Sequence, residues 1–534
     1  MGGSRLPDVT FGEWLPDQSR VKSPGLTRCE NVVPTARGYR AWPSRSLVIG
    51  KDPLVGPCVG AWSGESQSGV KFTVAGTGVG GVSAGPALHL IWGEGGAVWN
   101  VSPVSAITGL EATGTWSFTR VGKFVIATAE RISEPLKLEI DPVPSASSDF
   151  SVISSDASRA SVCAEFKEFL VLGDVVGRGV NASAIGTAEN GIHWSALGDP
   201  ESFPTVGTQT AVDAQSDFQV FGGEGGAVTN IIPSGEFCLI FQETQIWRMD
   251  YVGKPAIFSF RNISTSTGCT VRNGAIAANG VVFFVSEDGY RMCDGSNVVD
   301  IGSERVDRTF NDLFDAKNAH MMSSAYVPRS NCVLWSVPEG SLTPSRIFGY
   351  QFELNRWFQI LNQDRYQWLF SAHSIALGGS LDSLPLSIQN MDSGSELSAA
   401  NLDSLGVSDG AGTAAFFDQN NAIAFYGDDG DPMAGFLEIG DYEAEDRARH
   451  ALRWVRPIWD GPNGAVIVTA GGRNYITEET TMKNLSYSLE TGISRVQMSD
   501  RIGGRYLRAL FICANEYEEV TGFDVGFSDG GGRR

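Results

Sequence analysis

Val281-Val282-Phe283-Phe284-Val285-Ser286-Glu287-Asp288-Gly289-Tyr290 is the stretch that decides how this chain folds. An unbroken apolar run rich in valine and phenylalanine suits a strand covered on both faces. A short polar run ending in glycine turns the chain, and an aromatic opens the next strand. The pattern recurs on both sides. Upstream stand Phe72-Thr73-Val74-Ala75-Gly76, then Trp116-Ser117-Phe118 turning through Val121-Gly122-Lys123 into Phe124-Val125-Ile126-Ala127. Val162 to Phe166 with Phe169 to Gly173 follow, then Phe237-Cys238-Leu239-Ile240-Phe241 running on to Trp247. Downstream, Asn331-Cys332-Val333-Leu334-Trp335 precedes Ile347-Phe348-Gly349-Tyr350. The intervals are roughly 44 to 52 residues, with one of about 69, close to the ~40–50 residues of a four-stranded propeller blade. The apolar runs are short and bounded by Gly, Asn, Asp and Ser, which excludes a helical solenoid.

The expected fold is therefore all-β: a β-propeller over residues 46–370, of about six blades on this spacing. Residues 1–45, with Pro16, Pro34 and Pro43, read as an extended N-terminal arm. Residues 371–412 are rich in Ser, Asp and Gly and read as a connector. Strand-like runs resume over 413–534 (Ala422 to Tyr426, Leu452 to Trp459, Ala465 to Thr469, Tyr506 to Cys513), predicting a C-terminal antiparallel, sandwich-like domain. This division predicts that a fragment of residues 1–411 folds by itself. One helix is expected where Val306, Phe310, Leu313 and Phe314 share a face, with Ser303 as its N-cap and Glu304 and Asp307 in its first turn.

Composition narrows the function. The chain has 534 residues, 42% of them hydrophobic, enough to bury a core, and 64 are glycine, as many tight turns require. The net charge of −21 opposes a phosphate-gripping surface but suits a wall past which DNA slides without sticking. The eight cysteines stand singly, never as CxxC, and read as small hydrophobes kept reduced. Met1 to Thr10 holds no apolar signal core, and no run is long enough to span a bilayer. Synthesis in a cytoplasm, without membrane insertion, is the expectation.

Catalytic and cofactor constellations do not emerge. The five histidines (His89, His193, His320, His373, His450) are isolated, so no catalytic, metal or cofactor-binding residues are assigned. Gly76-Thr77-Gly78-Val79-Gly80-Gly81 lacks the Lys-Ser/Thr of a phosphate loop and reads as a hairpin turn. Thr187-Ala188-Glu189-Asn190-Gly191-Ile192-His193-Trp194 resembles the S/T-x-D-x-G-x-x-W turn of sialidase-like propellers, where it staples a hairpin. Ser286-Glu287-Asp288-Gly289-Tyr290 resembles it less closely. The basic concentrations are Arg447, Arg449, Arg453 and Arg456, and the set Arg501, Arg505, Arg508. A solvated strand face accounts for them simply; an inter-subunit surface using the first set and Trp14 is the sharper reading.

Several ordered strings carry a family resemblance. They are Gly12-Glu13-Trp14-Leu15-Pro16-Asp17; Asn31-Val32-Val33-Pro34; His193 to Phe203; Phe241-Gln242-Glu243 with Ile246-Trp247-Arg248-Met249; Val285 to Tyr290 with Asp294-Gly295; Ile301 to Asp307; and Asn355-Arg356-Trp357-Phe358. Together they resemble tail proteins of short-tailed phages, similar to the packaged-DNA-stabilising tail accessory factor and the tail nozzle. The resemblance implies a non-enzymatic virion protein. It would form a six-copy ring below portal and adaptor, continue the DNA channel, retain packaged DNA, and carry or adjoin fibres or spikes. The competing reading is a carbohydrate-binding or glycan-cleaving propeller.

Overall fold

The computed structural model describes residues 5–373, 412–443, 450–485 and 496–529, apart from breaks at 22, 24, 48–51, 80–84, 94–97, 106, 108–109, 131–133, 143, 146, 223, 341–342, 362–364, 427–430, 461–464 and 515–516. Most of the connector, Arg447, Arg449 and the final residues of the chain lie outside them.

Seven four-stranded antiparallel blades can be traced among the described residues. Their inner strands are Cys58–Glu65, Trp116–Val121, Arg159–Phe166, Val228–Ser234, Ala275–Ala278, Ser324–Val327 and Tyr366–His373, in blades I to VII. Each inner strand packs beside the next, and the last packs beside the first, so the ring is closed. The runs that announced the fold are second strands or hairpins. Val281–Ser286 pairs with Gly289–Cys293 across the two-residue turn Glu287-Asp288, and its valines and phenylalanines are covered by neighbouring blades.

The seventh blade corrects the expected domain boundary. Gly412–Asp418 and Ile423–Phe425, assigned in the sequence to a C-terminal domain, pair next to Tyr366–His373 as the blade's second and third strands. Its fourth strand is Ser46–Leu47, from the start of the chain. The propeller therefore ends beyond residue 420, and a 1–411 fragment would lack half a blade. The region around residues 374–411 is an insertion between two strands of one sheet.

The N-terminal arm is likewise not free. Leu26–Glu30 lies between the outer strand of blade VI, Arg356–Leu361, and Gly435–Ile439. Tyr506–Ala514, Ala465–Arg473 and Thr481–Leu485 then extend the same sheet. A second sheet runs Val32–Pro34, Tyr39–Ala41, Glu519–Asp529, His450–Asp460, Val496–Gly504, with Arg5–Thr10 also pairing Glu519–Asp529. The expected sandwich exists, but strands from the first 41 residues complete both of its sheets. Asn31 makes the crossing between them. Its φ of 59° lies in the left-handed region that asparagine tolerates, and its side chain accepts from Leu361 N at 2.8 Å. Between the sheets pack Phe11, Leu437, Val455, Val468, Phe511 and Phe523, with Phe511 and Phe523 at 4.8 Å.

The expected helix is shorter than its apolar face suggested. It spans Asp307–Leu313, with Val306 at its N-cap and no cap bond from Ser303. The cap comes from the arm: Asp17 accepts from Arg308 N and Thr309 N, both at 2.8 Å, and from Thr309 Oγ1 at 2.6 Å.

Candidate functional site

Of the residues expected at a subunit interface, Trp14, Arg453 and Arg456 are described, and they do not form one exposed surface. Trp14 is 1% exposed, its ring T-shaped against Phe348 at 5.5 Å, so it is core and not interface. Of the arginines on His450–Asp460, Arg453 is exposed, whereas Arg456 forms an ion pair at 2.8 Å with Asp524, which is buried. Two members of the second basic set, Arg505 and Arg508, are also matched within the chain, while the side chain of Arg501 lies outside the described ones. Arg505 pairs with Glu443 at 2.7 Å, while Arg508 reaches Asp441 at 3.4 Å and Glu438 at 3.6 Å. Arg473 closes on the same buried Asp441. These contacts consume charge that the sequence left open for a partner.

Two buried histidines, His193 and His89, favour the neutral imidazole. Burial pushes His193 down to about 3 and His89 down to about 4. His193 Nδ1 lies 2.9 Å from Ser158 Oγ, and its ring lies tilted at 58° to that of Phe203, 4.8 Å away. All eight cysteines are buried and unpaired, and burial raises their thiols, Cys163 to about 11. Among the described residues no three His, Cys, Asp or Glu side chains gather as a metal-binding group. The stretch from Thr187 to Trp194 is not a hairpin turn. It is one strand of blade III, interrupted by a bulge where pairing jumps from Gly173↔Ile192 to Val175↔Ala188. The Ser286 to Tyr290 stretch does turn, with Ser286 Oγ donating to Gly289 O at 2.9 Å.

Two places gather polar groups from distant parts of the sequence. The first is the seam between arm and propeller. Glu13 pairs with Arg305, which also donates to Asn355 Oδ1 at 2.7 Å and Ile301 O at 3.1 Å. Trp357 Nε1 donates to Ile301 O at 2.9 Å, and its ring lies 4.8 Å from that of Tyr290. Asp307 accepts from Tyr290 N at 3.0 Å. A Cβ on Gly289 or Gly302 would overlap the Asp307 carboxylate, so both positions need glycine. Burial pushes that carboxyl up to about 6, against the Tyr290 N–H, and Asp17 across the seam pushes the same way.

The second place is the propeller axis, a cavity of about 440 Å³ to which all seven inner strands contribute. Inner strands have one unpaired edge, and hydroxyls and amides of neighbouring blades bond to parts of it. Ser117 Oγ accepts from Cys163 N at 3.1 Å, Ser371 Oγ from Tyr326 N at 2.7 Å, and Asn230 Oδ1 from Asn273 N at 3.0 Å. Gln367 Oε1 accepts from Cys58 N at 2.8 Å, joining the last blade to the first. Sequence reading gave no role to these hydroxyls and amides, because isolated serines and asparagines carry no periodic signal. Arg305 and Asn355, by contrast, stood inside the strings that carried the resemblance.

Strand pairing defines the class of protein: an all-β chain, a closed propeller joined to a two-sheet sandwich. No protein-family model matches it, and no curated protein does. Among solved structures it is similar to apo AztD from Citrobacter koseri, at 13% identity over 57% of this chain and 86% of that one, with a TM-score of 0.29. It is also similar to the β-propeller domain of Cps50 (Swd1) from Myceliophteria thermophila, at 9% identity, 60% and 92% coverage and a TM-score of 0.34. A glycoside hydrolase aligns at 8% identity, 89% and 100% coverage and a TM-score of 0.24. Likeness of this degree implies nothing about activity, and the propeller stands on the strand pairing itself.

Proposed function

We propose that this chain is a structural, non-enzymatic virion protein of a phage short tail, a nozzle or hub subunit. In this reading it is made in the host cytoplasm and assembles as a hexameric ring below portal and adaptor. It extends the DNA channel, retains packaged DNA and supports fibres or spikes. One observation carries the reading: strings that resemble the tail family, far apart in sequence, meet in one contact network. Gly12–Asp17, Val285–Tyr290, Ile301–Asp307 and Asn355–Phe358 are joined by the Glu13–Arg305–Asn355 contacts, the Trp357–Ile301 bond and the Tyr290–Asp307 bond, and Asp17 caps the helix that begins at Asp307. Strings that meet to fasten an arm to a propeller are a structural signature, as a tail scaffold requires. The cavity on one propeller's axis is far too small for a duplex, so the DNA path in such a ring runs between subunits. A net charge of −21 keeps a passing duplex from adhering.

Negative-stain microscopy of the full chain, alone and mixed with portal and adaptor, tests this. The expected result is six-fold rings stacked on the adaptor, with an axial opening. A chain that stays monomeric in that mixture and cleaves host polysaccharide would overturn it.

A further inference from the structure

We propose that the axial cavity is a binding site for a small neutral saccharide. The inference does not rest on the tail reading and applies equally to a monomer. The volume of about 440 Å³ falls within the ~300–1,000 Å³ typical of small-molecule sites. The chemistry of its wall selects the ligand. Among the described residues lining it there is no Asp, Glu, Lys, Arg or His. A charged ligand entering it would lose hydration without gaining a counter-charge. A purely apolar ligand fits no better, because serine and asparagine side chains and open strand edges interrupt the wall.

Two kinds of surface remain, and a sugar ring presents the complement of both. Trp62, Phe118 and Tyr326 are half-buried residues of the wall, packed on one side against Phe72, Trp116 and Phe352, and the aromatic edge they leave is one along which the C–H face of a pyranose can lie. On blades V to VII stand Asn273, Ser324 and Ser371, drawn together by bonds that leave them hydrogen-bonding capacity. Ser324 Oγ donates to Asn273 O at 2.9 Å and keeps its lone pairs. Ser371 Oγ accepts from Tyr326 N and keeps its proton. The Asn273 side-chain amide has no partner among the described residues. One donor, one acceptor and one amide with both functions can receive a set of vicinal hydroxyls. Ser371 is exposed, which opens the cavity to solvent on that side.

Calorimetric titration of the full chain with glucose, galactose and N-acetylglucosamine, and with glucuronate as the charged counterpart, tests the site. Saturable binding of at least one neutral sugar is expected, with glucuronate at least tenfold weaker. Asn273→Gly removes the amide while keeping the positive φ of 61°, and should weaken binding about tenfold, or ~1.4 kcal/mol. Ser371→Trp, which fills the mouth, should abolish it; an unchanged melting curve for each variant shows that the fold survives. No saturable heat from any neutral sugar at millimolar concentration would overturn the proposal, leaving a cavity filled with water. Equal binding of glucuronate, or binding indifferent to both substitutions, would place the sugar elsewhere and also overturn it.

Discussion

Truncating the chain after residue 411 tests the observed closure of the propeller directly. The cut removes the second and third strands of blade VII and leaves Tyr366–His373 and Ser46–Leu47 without partners on that side. It deletes the buried Phe416, Phe417, Ile423, Phe425 and Tyr426, which lie between blade VII and its neighbours. At about 1.5–3 kcal/mol for each large apolar side chain buried, these residues contribute on the order of 8–15 kcal/mol. That is comparable with the whole net stability of a typical domain, ~5–15 kcal/mol. The same cut removes Gly435–Ile439 and Glu519–Asp529, which pair with Leu26–Glu30 and Arg5–Thr10, so the arm keeps only its contacts with the propeller. The fragment is expected to be insoluble or to lack a cooperative thermal transition by circular dichroism, with limited proteolysis degrading it throughout. A soluble 1–411 fragment with a sharp melt and a protected core would refute this reasoning and restore the boundary that the sequence suggested.

Two further outcomes follow from the buried charges. The fold raises the Asp307 carboxyl from 3.8 to about 6, so it favours the protonated form; stability is fully present below pH 3.8 and is lost as pH rises through about 6. After discounting for the solvent that reaches this group, Asp307→Asn should remove about 1–2 kcal/mol of pH dependence in that window, and denaturant melts from pH 4 to 7 that superimpose for both proteins would contradict it. Arg456→Ala leaves Asp524 buried without its guanidinium and should cost about 2–4 kcal/mol, whereas Arg453→Ala, at an exposed position on the same strand, should change stability by less than about 0.5 kcal/mol. Equal melting temperatures for the two variants would show that the Arg456–Asp524 pair is dispensable.

What could be read in the sequence follows from which burial patterns are local. Val281–Ser286 and Phe237–Gln242 are covered on both faces by adjacent blades, so their apolar runs are continuous and visible in any window. Blade VII left no such spacing, since one strand lies upstream of an insertion, two lie downstream, and the fourth comes from residues 46–47. The arm strand Val32–Pro34 has three residues, too few to display alternation, and ends in a proline that reads as a break. Trp14 sits among prolines and charges that suggest exposure; its cover, Phe348, is more than 300 residues away in sequence. The Arg456 cluster was visible as a cluster, but whether an arginine is free depends on Asp524, which no local pattern connects to it. The axial groups were invisible for a different reason. Asn273, Ser324 and Ser371 acquire meaning only when the ring closes and sets three inner strands side by side.

The same long-range closures change where assembly contacts can lie. Strands within residues 5–47 are stitched into both sheets of the sandwich and into the last blade, and Asp17 caps a helix on the propeller. A division into a self-sufficient propeller and detachable ring-forming ends therefore fails on the pairing itself, because removing either end opens sheets in the other part. In the proposed ring, a contact that can be broken without unfolding the chain has to use groups that the fold leaves unspent. Trp14 and Arg456 are spent, one as core and the other on Asp524. Arg453 faces solvent, and the turn after Ala465–Arg473 holds Tyr475 and Ile476 at 68% and 53% exposure. An aromatic and a β-branched side chain side by side in water are costly in a monomer and useful at the centre of an interface. In the proposed ring, a neighbouring subunit covering that turn would bury apolar surface without opening either sheet of the sandwich.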